Sequence, residues 1–220
     1  MPQFREHMLE HTEGLPKYVE NGVETTAVDY KGAEWSYAIN ITLLHDASSD
    51  LIVQGEIPST NAEVMLVERA GGHGKIGDFS GVSGYIGERF DPNADEGLPD
   101  LEDIFDPIEY ALDEELREEC NLTPDELDGI NFLAGNWIDF RRTPQEYTRQ
   151  GSMIRVVPVV GLCTVKPLIV PKKDEITSYR WSKLSEIKHA TDLEPGYYPK
   201  TLPACLGALG LTEDQIASII

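Results

Sequence analysis

The chain has 220 residues, 40% of them hydrophobic, which is enough for one large domain with a buried core. Its 39 acidic residues outnumber 18 basic ones and give a formal net charge of −21. This charge argues against a nucleic-acid duplex and an anionic membrane surface as partners, because both are bound through Lys and Arg. An acid-biased proteome would also produce it.

The three cysteines, Cys120, Cys163 and Cys205, are far apart, and no C-x-x-C pair occurs. The sequence therefore indicates neither a zinc site nor a disulfide framework, and we expect a cytoplasmic protein. Its first residues lack the apolar run of a signal peptide, and no stretch approaches the ~18 consecutive apolar residues of a membrane span.

The organisation expected along the chain has three parts. Residues 1–34 are polar and interrupted by glycine and proline, which predicts an N-terminal elaboration with a short helix and a hairpin. A dimer arm, which would make a homodimer, and a lid are both open as its role. The main domain is expected over residues 35–200, with an acidic insertion at 89–107, and residues 201–220 form a C-terminal helical tail.

Runs rich in β-branched and aromatic residues predict a series of strands. These strands are 36–45, 63–69, 130–140, 153–165 and 175–181, with 51–57 as a short extra one. Gly135 suggests a bulge in the 130–140 strand, and Pro158 suggests a bend or an edge position in the 153–165 strand.

Helix signals follow the last strand. Ser182 is expected to cap a helix, and further helices are expected over 199–209 and 212–220, the last one capped by Thr212. Asn121 suits the left-handed position after the end of an earlier helix.

Two segments between the strands are rich in glycine. Residues 70–75 lack the Gly-Lys-Ser/Thr ending of a P-loop and the Rossmann spacing, so they predict a flexible connector rather than a phosphate loop. Repeated glycines in 78–88 predict tight bends or a close approach of backbones.

Residues 91–109 contain eight acidic residues and no Lys or Arg. They predict a surface insertion rather than a calcium loop, because the EF-hand pattern is absent.

The stretch 111–122 predicts a helix with an unusual distribution of charge. At about 100° per residue, Glu115, Glu118 and Glu119 share a broad arc with Leu112 and Leu116. Three uncompensated carboxylates on the face that meets the protein body would be costly. A divalent cation would offset that cost, because hard cations bind carboxylate oxygens. The alternative is a solvated helix of a very acidic protein.

This helix and the order of the elements around it resemble the Nudix hydrolase family, whose box is G-x5-E-x7-R-E-U-x-E-E-x-G-U, with U aliphatic. Glu115 matches the glutamate of R-E, Glu118 and Glu119 match the E-E pair, and Glu88 matches the first glutamate. The stretch from Trp181 to Leu184 resembles the W-x-x-L that closes the domain.

The resemblance covers roughly residues 36–190 and includes three departures. The first two glutamates, Glu88 and Glu115, are 27 positions apart, against nine in the family, so residues 89–107 would be an insertion within the box. The arginine of R-E is Glu114 here, and the glycine before the last aliphatic residue is Asn121.

The resemblance implies an α+β fold, a Nudix-type α/β/α sandwich with a mixed β-sheet. It also implies that the chain hydrolyses a diphosphate linkage in a small molecule, a nucleoside diphosphate derivative, with Mg²⁺ or Mn²⁺. The implied metal ligands are Glu115, Glu118, Glu119 and Glu88, with Glu115 and Glu118 as catalytic residues. Candidates for the general base are Glu115, Glu175 and Glu146.

Substrate contacts are predicted from the few arginines and aromatic residues in and after the predicted strand 130–140. Arg141 and Arg142 would bind phosphate oxygens with bidentate hydrogen bonds. Trp137 would stack on a nucleotide base.

Two other functions remain open. A degenerate Nudix domain would bind a nucleotide or a protein partner without turnover, which Glu114 and the long insertion favour. The intact E-x-x-E-E motif favours hydrolysis, because an inactive domain has no need of three inward carboxylates. Isopentenyl diphosphate isomerase shares the fold but requires a catalytic Cys and Glu that the sequence does not place.

Overall fold

The computed structural model describes residues 18–20, 23–25, 35–47, 58–59, 61–70, 78–85, 107–132, 138–141, 153–171, 176–194 and 197–220. The strands in these ranges are β1 (Tyr18–Glu20), β2 (Val23–Thr25), β3 (Trp35–His45), β4 (Glu63–Arg69), β5 (Phe79–Ser80), β6 (Val82–Tyr85), β7 (Gly129–Phe132), β8 (Ile138–Arg141), β9 (Met153–Cys163) and β10 (Ile176–Lys183).

Helices follow β6 and β10. Helix α1 (Pro107–Glu115) continues as a π-helical turn, Leu116–Cys120, and a 3₁₀ turn spans Pro124–Glu126. After β10 come α2 (Leu184–Ile187), a π-helical turn (Tyr197–Thr201), α3 (Leu202–Gly207) and α4 (Glu213–Ile219). No helix in the described part of the chain is long and apolar enough to cross a membrane.

The main sheet is built around β3 and β9. These two strands pair in parallel along their whole length, from Trp35 with Met153 to His45 with Cys163. Strands β7 and β8 pair with the other side of β9, β4 lies beside β3, and β10 pairs with β4, all antiparallel. The sheet is therefore mixed, and β1 and β2 form a separate hairpin.

The sheet is packed on both faces. One core contains Leu112, Leu116 and Cys120 from α1 and its π-helical turn, against Ile41 of β3 and Val159 of β9. The core on the other face contains residues of β3, β4 and β9 together with residues of α2, α3 and α4. Helices thus cover both faces, which confirms the expected α+β sandwich with a mixed sheet.

Strands β3 and β4 are paired only at the end of β3 and the start of β4. They pair only at Leu44 with Val64 and at His45 with Glu63. Beyond that point β5 pairs with β4 and β6 pairs with β3. Gly81 lies where the chain crosses between them. A Cβ atom there would lie 2.8 Å from the backbone oxygen of Ile41, so this close approach requires glycine.

Most predicted strands are confirmed with small shifts at their ends, but the 130–140 strand is divided. Its two parts, β7 and β8, pair successively with β9, and only two residues of β9 lie between the pair Phe132–Val159 and the pair Ile138–Val156. One of these two is Pro158, which has no backbone N–H to donate to a neighbouring strand. Strand β9 is an interior strand, so an edge position for Pro158 was wrong. The predicted strand 51–57 lies outside the described residues.

The helix caps give a mixed outcome. Thr212 caps α4 through the reciprocal contacts Thr212 N to Gln215 Oε1 (2.8 Å) and Gln215 N to Thr212 Oγ1 (3.3 Å). Asn121 has a φ of 55°, as expected for the residue after a helix. Ser182 is not a cap, because it belongs to β10. The first N–H of α2, that of Leu184, instead donates to the carbonyl of Ala62 (3.1 Å).

Candidate functional site

Several strands end together at one end of the sheet. Tyr85, the last residue of β6, pairs with Ala38 of β3, which in turn pairs with Val156 of β9 and hence lies level with Ile138 of β8. At the same end of the sheet, Ile176 opens β10 opposite Arg69, the last residue of β4. The ends of β4 and β6 and the starts of β8 and β10 therefore lie at a similar level along the sheet, and the segments that connect these strands start or finish there.

The sequence-predicted site residues lie in or beside these connecting segments. Arg141 is the last residue of β8, and Arg142 follows it. Trp137 precedes β8, Glu88 follows β6 by three residues, and Glu175 precedes β10. Of this group, only the backbone of Arg141 is described. The remaining residues, together with Glu146, lie outside the described residues, so their roles stay predictions.

Glu115 is the last residue of α1, and its carboxylate lies against the backbone of Gly84 in β6. A Cβ atom on Gly84 would overlap the Oε1 and Cδ atoms of Glu115. The absence of a side chain on Gly84 therefore allows the carboxylate to approach the sheet. Repeated glycines in the sequence predicted a close approach of backbones here, but not that a carboxylate occupies the space.

The other two glutamates follow in the π-helical turn. Glu119 is only 6% exposed, and Glu118 is half-buried. In the same turn, Leu116 and Cys120 are fully buried. The carboxylates of Glu115 and Glu119 thus lie on the inward side of the helix. Short π-helical turns within α-helices are frequent at functional sites.

Positive charge on this helix does not face the carboxylates. Arg117 is 59% exposed and forms an ion pair of 2.8 Å with Asp113, one turn earlier. Arg69 is the other cation near the site that the structure describes. Its Nη2 donates to the backbone oxygen of Ser83 in β6 at 3.4 Å and also contacts Ser83 Oγ. In the sequence, Arg69 is one of the three nearest candidates, with Arg89 and Arg117, to compensate the negative charge of Glu114.

The carboxylates have the chemistry of a magnesium site, although they do not form a closed cage. Within the described ranges, no three His, Cys, Asp or Glu side chains gather closely enough to hold a metal ion. Mg²⁺ is usually bound through one or two carboxylates, substrate phosphates and water rather than by an all-protein cage. One or two of the carboxylates of Glu115, Glu118 and Glu119 would suit that mode of binding. That all three hold the metal together with Glu88 stays a prediction from the sequence.

Cys120 lies in the same turn as the glutamates. Burial, and to a smaller extent the negative charge of Glu119, raises the pKa of the Cys120 thiol. The side chain therefore remains a neutral thiol in the core, which does not suit a nucleophile or an acid–base group. Catalysis by a cysteine at this position is disfavoured.

The chain is similar to several solved structures. The NUDIX domain of Shewanella oneidensis NrtR, solved with ADP ribose, is 15% identical over 75% of this chain and 82% of that one, with a TM-score of 0.46. The chain is similar in fold to Nudix proteins. A Nudix hydrolase from M. smegmatis, RenU, is 15% identical over 93% of this chain and 95% of that one, with a TM-score of 0.45.

A third similar structure is a bifunctional NMN adenylyltransferase/ADP ribose pyrophosphatase from Francisella tularensis, complexed with AMP and a Mn ion. It is 17% identical over 80% of this chain and 42% of that one, with a TM-score of 0.49. Neither a family model nor a curated protein matches the sequence. The likeness to these solved structures is one of fold alone.

Proposed function

We propose that this protein hydrolyses a diphosphate linkage in a nucleoside diphosphate derivative, with Mg²⁺ or Mn²⁺, in the cytoplasm. The observation that supports the proposal most directly is the Glu115 carboxylate resting on the bare backbone of Gly84. A helix that directs carboxylates inward at the edge where the strands end is suited to hold a cation against a negatively charged substrate.

Each residue has a defined role in this proposal. Glu115, Glu118 and Glu119, with Glu88, would hold the metal ion, which would supply charge neutralisation and water activation when bound. Glu115 would also accept the proton of the attacking water. It is the last residue of α1 and is half-buried. Arg141 and Arg142 would bind the phosphates, and Trp137 would stack on the base.

The second candidate is a domain that binds the same nucleotide without turnover. Glu114, a half-buried acid where the family has arginine, favours it, because the arginine that would help to hold the glutamates in place is missing. The inward placement of Glu115 and Glu119 favours hydrolysis.

A coupled phosphate-release assay distinguishes these functions. The purified chain is incubated with Mg²⁺ and a panel of nucleoside diphosphate derivatives, including ADP-ribose and Ap4A, and a phosphomonoesterase converts the products to free phosphate. We expect turnover of at least one substrate. Glu118→Gln should lower kcat/KM by about 100-fold, the equivalent of a few kcal/mol of lost charge stabilisation.

The matched control is Glu109→Gln, which removes an exposed carboxylate from the first turn of the same helix. It should change kcat/KM by less than about twofold, since screened surface charges act weakly. Absence of turnover on the whole panel, with retained nucleotide binding, would establish the second candidate. Equal activity of Glu118→Gln and wild type would refute the role of the glutamates.

A further inference from the structure

A gap in the sheet lies beside the candidate site. Strands β3 and β4 pair at only two positions, both at the far end from Arg69. In the region of the gap, β5 pairs with β4 at Val67 and Glu68, whereas β6 pairs with β3. Among the described strands, β6 therefore has a backbone neighbour on its β3 side only, and no backbone ladder joins it to β4.

The side chain of Arg69 bridges this gap. Arg69 ends β4, and its Nη2 donates to both the hydroxyl and the backbone oxygen of Ser83, the second at 3.4 Å. Ser83 directly precedes Gly84, on whose backbone the Glu115 carboxylate rests. A continuous series of contacts thus runs from Arg69 through β6 to Glu115.

The hydrogen bonding of Arg69 differs from that of the other described arginines with defined contacts. Arg117 pairs with Asp113, and Arg180 binds both oxygens of Asp192. Arg69 instead donates to the neutral oxygens of Ser83, and no described carboxylate contacts its guanidinium. A half-buried guanidinium that contacts only neutral oxygens in the described part of the chain is not an arrangement that stability alone favours.

We infer that Arg69 is a positioning residue for Glu115: it ties β6 to β4, so that the Gly84 backbone stays where the Glu115 carboxylate rests. The inference rests on the proposed function, because the position of Glu115 matters only if its carboxylate acts at a metal site. Residues that orient metal ligands typically contribute 10–100-fold to metal affinity. We therefore expect Arg69 to contribute about tenfold, acting through one intermediate strand.

Mn²⁺ binding to the substrate-free protein tests this role without reference to turnover. The free Mn²⁺ signal in electron paramagnetic resonance gives the dissociation constant for wild type, Arg69→Met, Arg69→Lys, Ser83→Ala and the double variant Arg69→Met/Ser83→Ala. We expect Arg69→Met to weaken binding by about tenfold, Arg69→Lys to restore part of it, and Ser83→Ala to weaken binding by less than Arg69→Met, because alanine keeps the backbone oxygen that Arg69 also contacts. The double variant should be no weaker than Arg69→Met, because Arg69→Met already removes the contacts with both the hydroxyl and the backbone oxygen of Ser83.

Two controls separate the contact from simple loss of charge or of a hydroxyl. Arg117→Met removes the same charge from the glutamate helix itself, at an exposed position, and should weaken Mn²⁺ binding by less than about twofold. Ser218→Ala removes an exposed hydroxyl of α4, which donates only to Gln215, and should have no effect. In steady-state assays, Arg69→Met should lower kcat with little change in KM.

The outcomes distinguish the inference from the function on which it rests. Failure of the wild type to bind Mn²⁺, both alone and with ADP-ribose present, would overturn both. Wild-type affinity in folded Arg69→Met would overturn the inference alone, as would an equal loss in Arg117→Met. A raised KM in Arg69→Met, together with wild-type KM and Mn²⁺ affinity in Ser83→Ala, would assign Arg69 to the substrate phosphates instead. If Arg69→Met does not fold, Ser83→Ala, which removes a single oxygen, decides the question.

Discussion

The replacement Gly84→Ala tests the candidate site most directly. A methyl group on Gly84 would overlap the Oε1 and Cδ atoms of Glu115, whereas ordinary contact begins at 3.4 Å. The carboxylate must therefore move by roughly 1 Å or more, and displacements of about this size at a reacting centre can lower activity by ~100-fold. We expect kcat/KM and Mn²⁺ affinity to fall together.

Stability should change far less than activity in this variant. The atoms in conflict are at the end of a flexible side chain, and rotating it away costs about 0.5–1.5 kcal/mol. Replacing glycine by alanine also restricts the unfolded chain and recovers about 0.4–1 kcal/mol. Gly84 is not among the described residues with positive φ, so its backbone accepts alanine. The free energy of unfolding in urea should lie within about 1 kcal/mol of wild type.

Two further glycines provide controls for this experiment. At Gly129 the nearest atom to a new Cβ would be Leu162 Cδ1 at 3.6 Å, so Gly129→Ala should retain both stability and activity. At Gly81 the conflict is with the backbone oxygen of Ile41 at 2.8 Å, which cannot rotate away. Gly81→Ala should therefore lower stability by about 1–3 kcal/mol. Wild-type kcat/KM and Mn²⁺ affinity in Gly84→Ala would refute the placement of Glu115 at the reacting centre.

Three other predictions concern the stability and reactivity of the fold. Because Asn121 has a φ of 55°, Asn121→Ala should lower the free energy of unfolding in urea by about 1 kcal/mol, whereas Asn121→Gly should leave it near wild type; equal values would contradict a left-handed cap. Arg180, through hydrogen bonds of 2.6 and 2.8 Å, holds the pKa of the Asp192 carboxyl below its usual range. A lowered pKa stabilises the fold above the unfolded carboxyl pKa of about 3.9 and loses that effect as pH falls through the folded value. The stability difference between wild type and Asp192→Asn, below about 1 kcal/mol, should thus be constant from pH 7 to 5 and shrink below about pH 4 in urea titrations; a difference that grows on acidification would contradict it. Burial raises the pKa of the Cys163 and Cys205 thiols to about 12, so Ellman's reagent at pH 8 should label them only after unfolding, and rapid labelling of the native protein would refute their burial.

Local sequence patterns predicted the elements well where side-chain composition determines them. Strand β4 was predicted over its observed range because β-branched and long apolar residues follow one another there. Thr212 was predicted as a cap from its own residue type and position before α4. In each case the relevant information lies within a few neighbouring residues.

Features set by contacts between distant residues were not predictable in the same way. Ser182 has the residue type of a cap, but pairing with Val64 keeps it in β10. The π-helical turn after Glu115 and the gap between β3 and β4 depend on packing and pairing across the sheet, which no spacing rule describes. The spacing of the glutamates predicted that they lie on the inward face of the helix. The space that the Glu115 carboxylate occupies arises instead from Gly84 in β6, which is distant in sequence.

The parallel pairing of β3 with β9 has a consequence for how the protein folds. This central ladder joins residues 118 positions apart, such as His45 and Cys163, so a long loop must close before any of its hydrogen bonds form. Proteins dominated by such distant pairings fold slowly, on a scale of milliseconds to seconds. Helix α1 lies within this loop, and its core partners include Val157 and Val159 of β9. During synthesis, the glutamate helix therefore has no complete sheet to pack on until β9 has left the ribosome, and the candidate site is among the last parts of the protein to assemble.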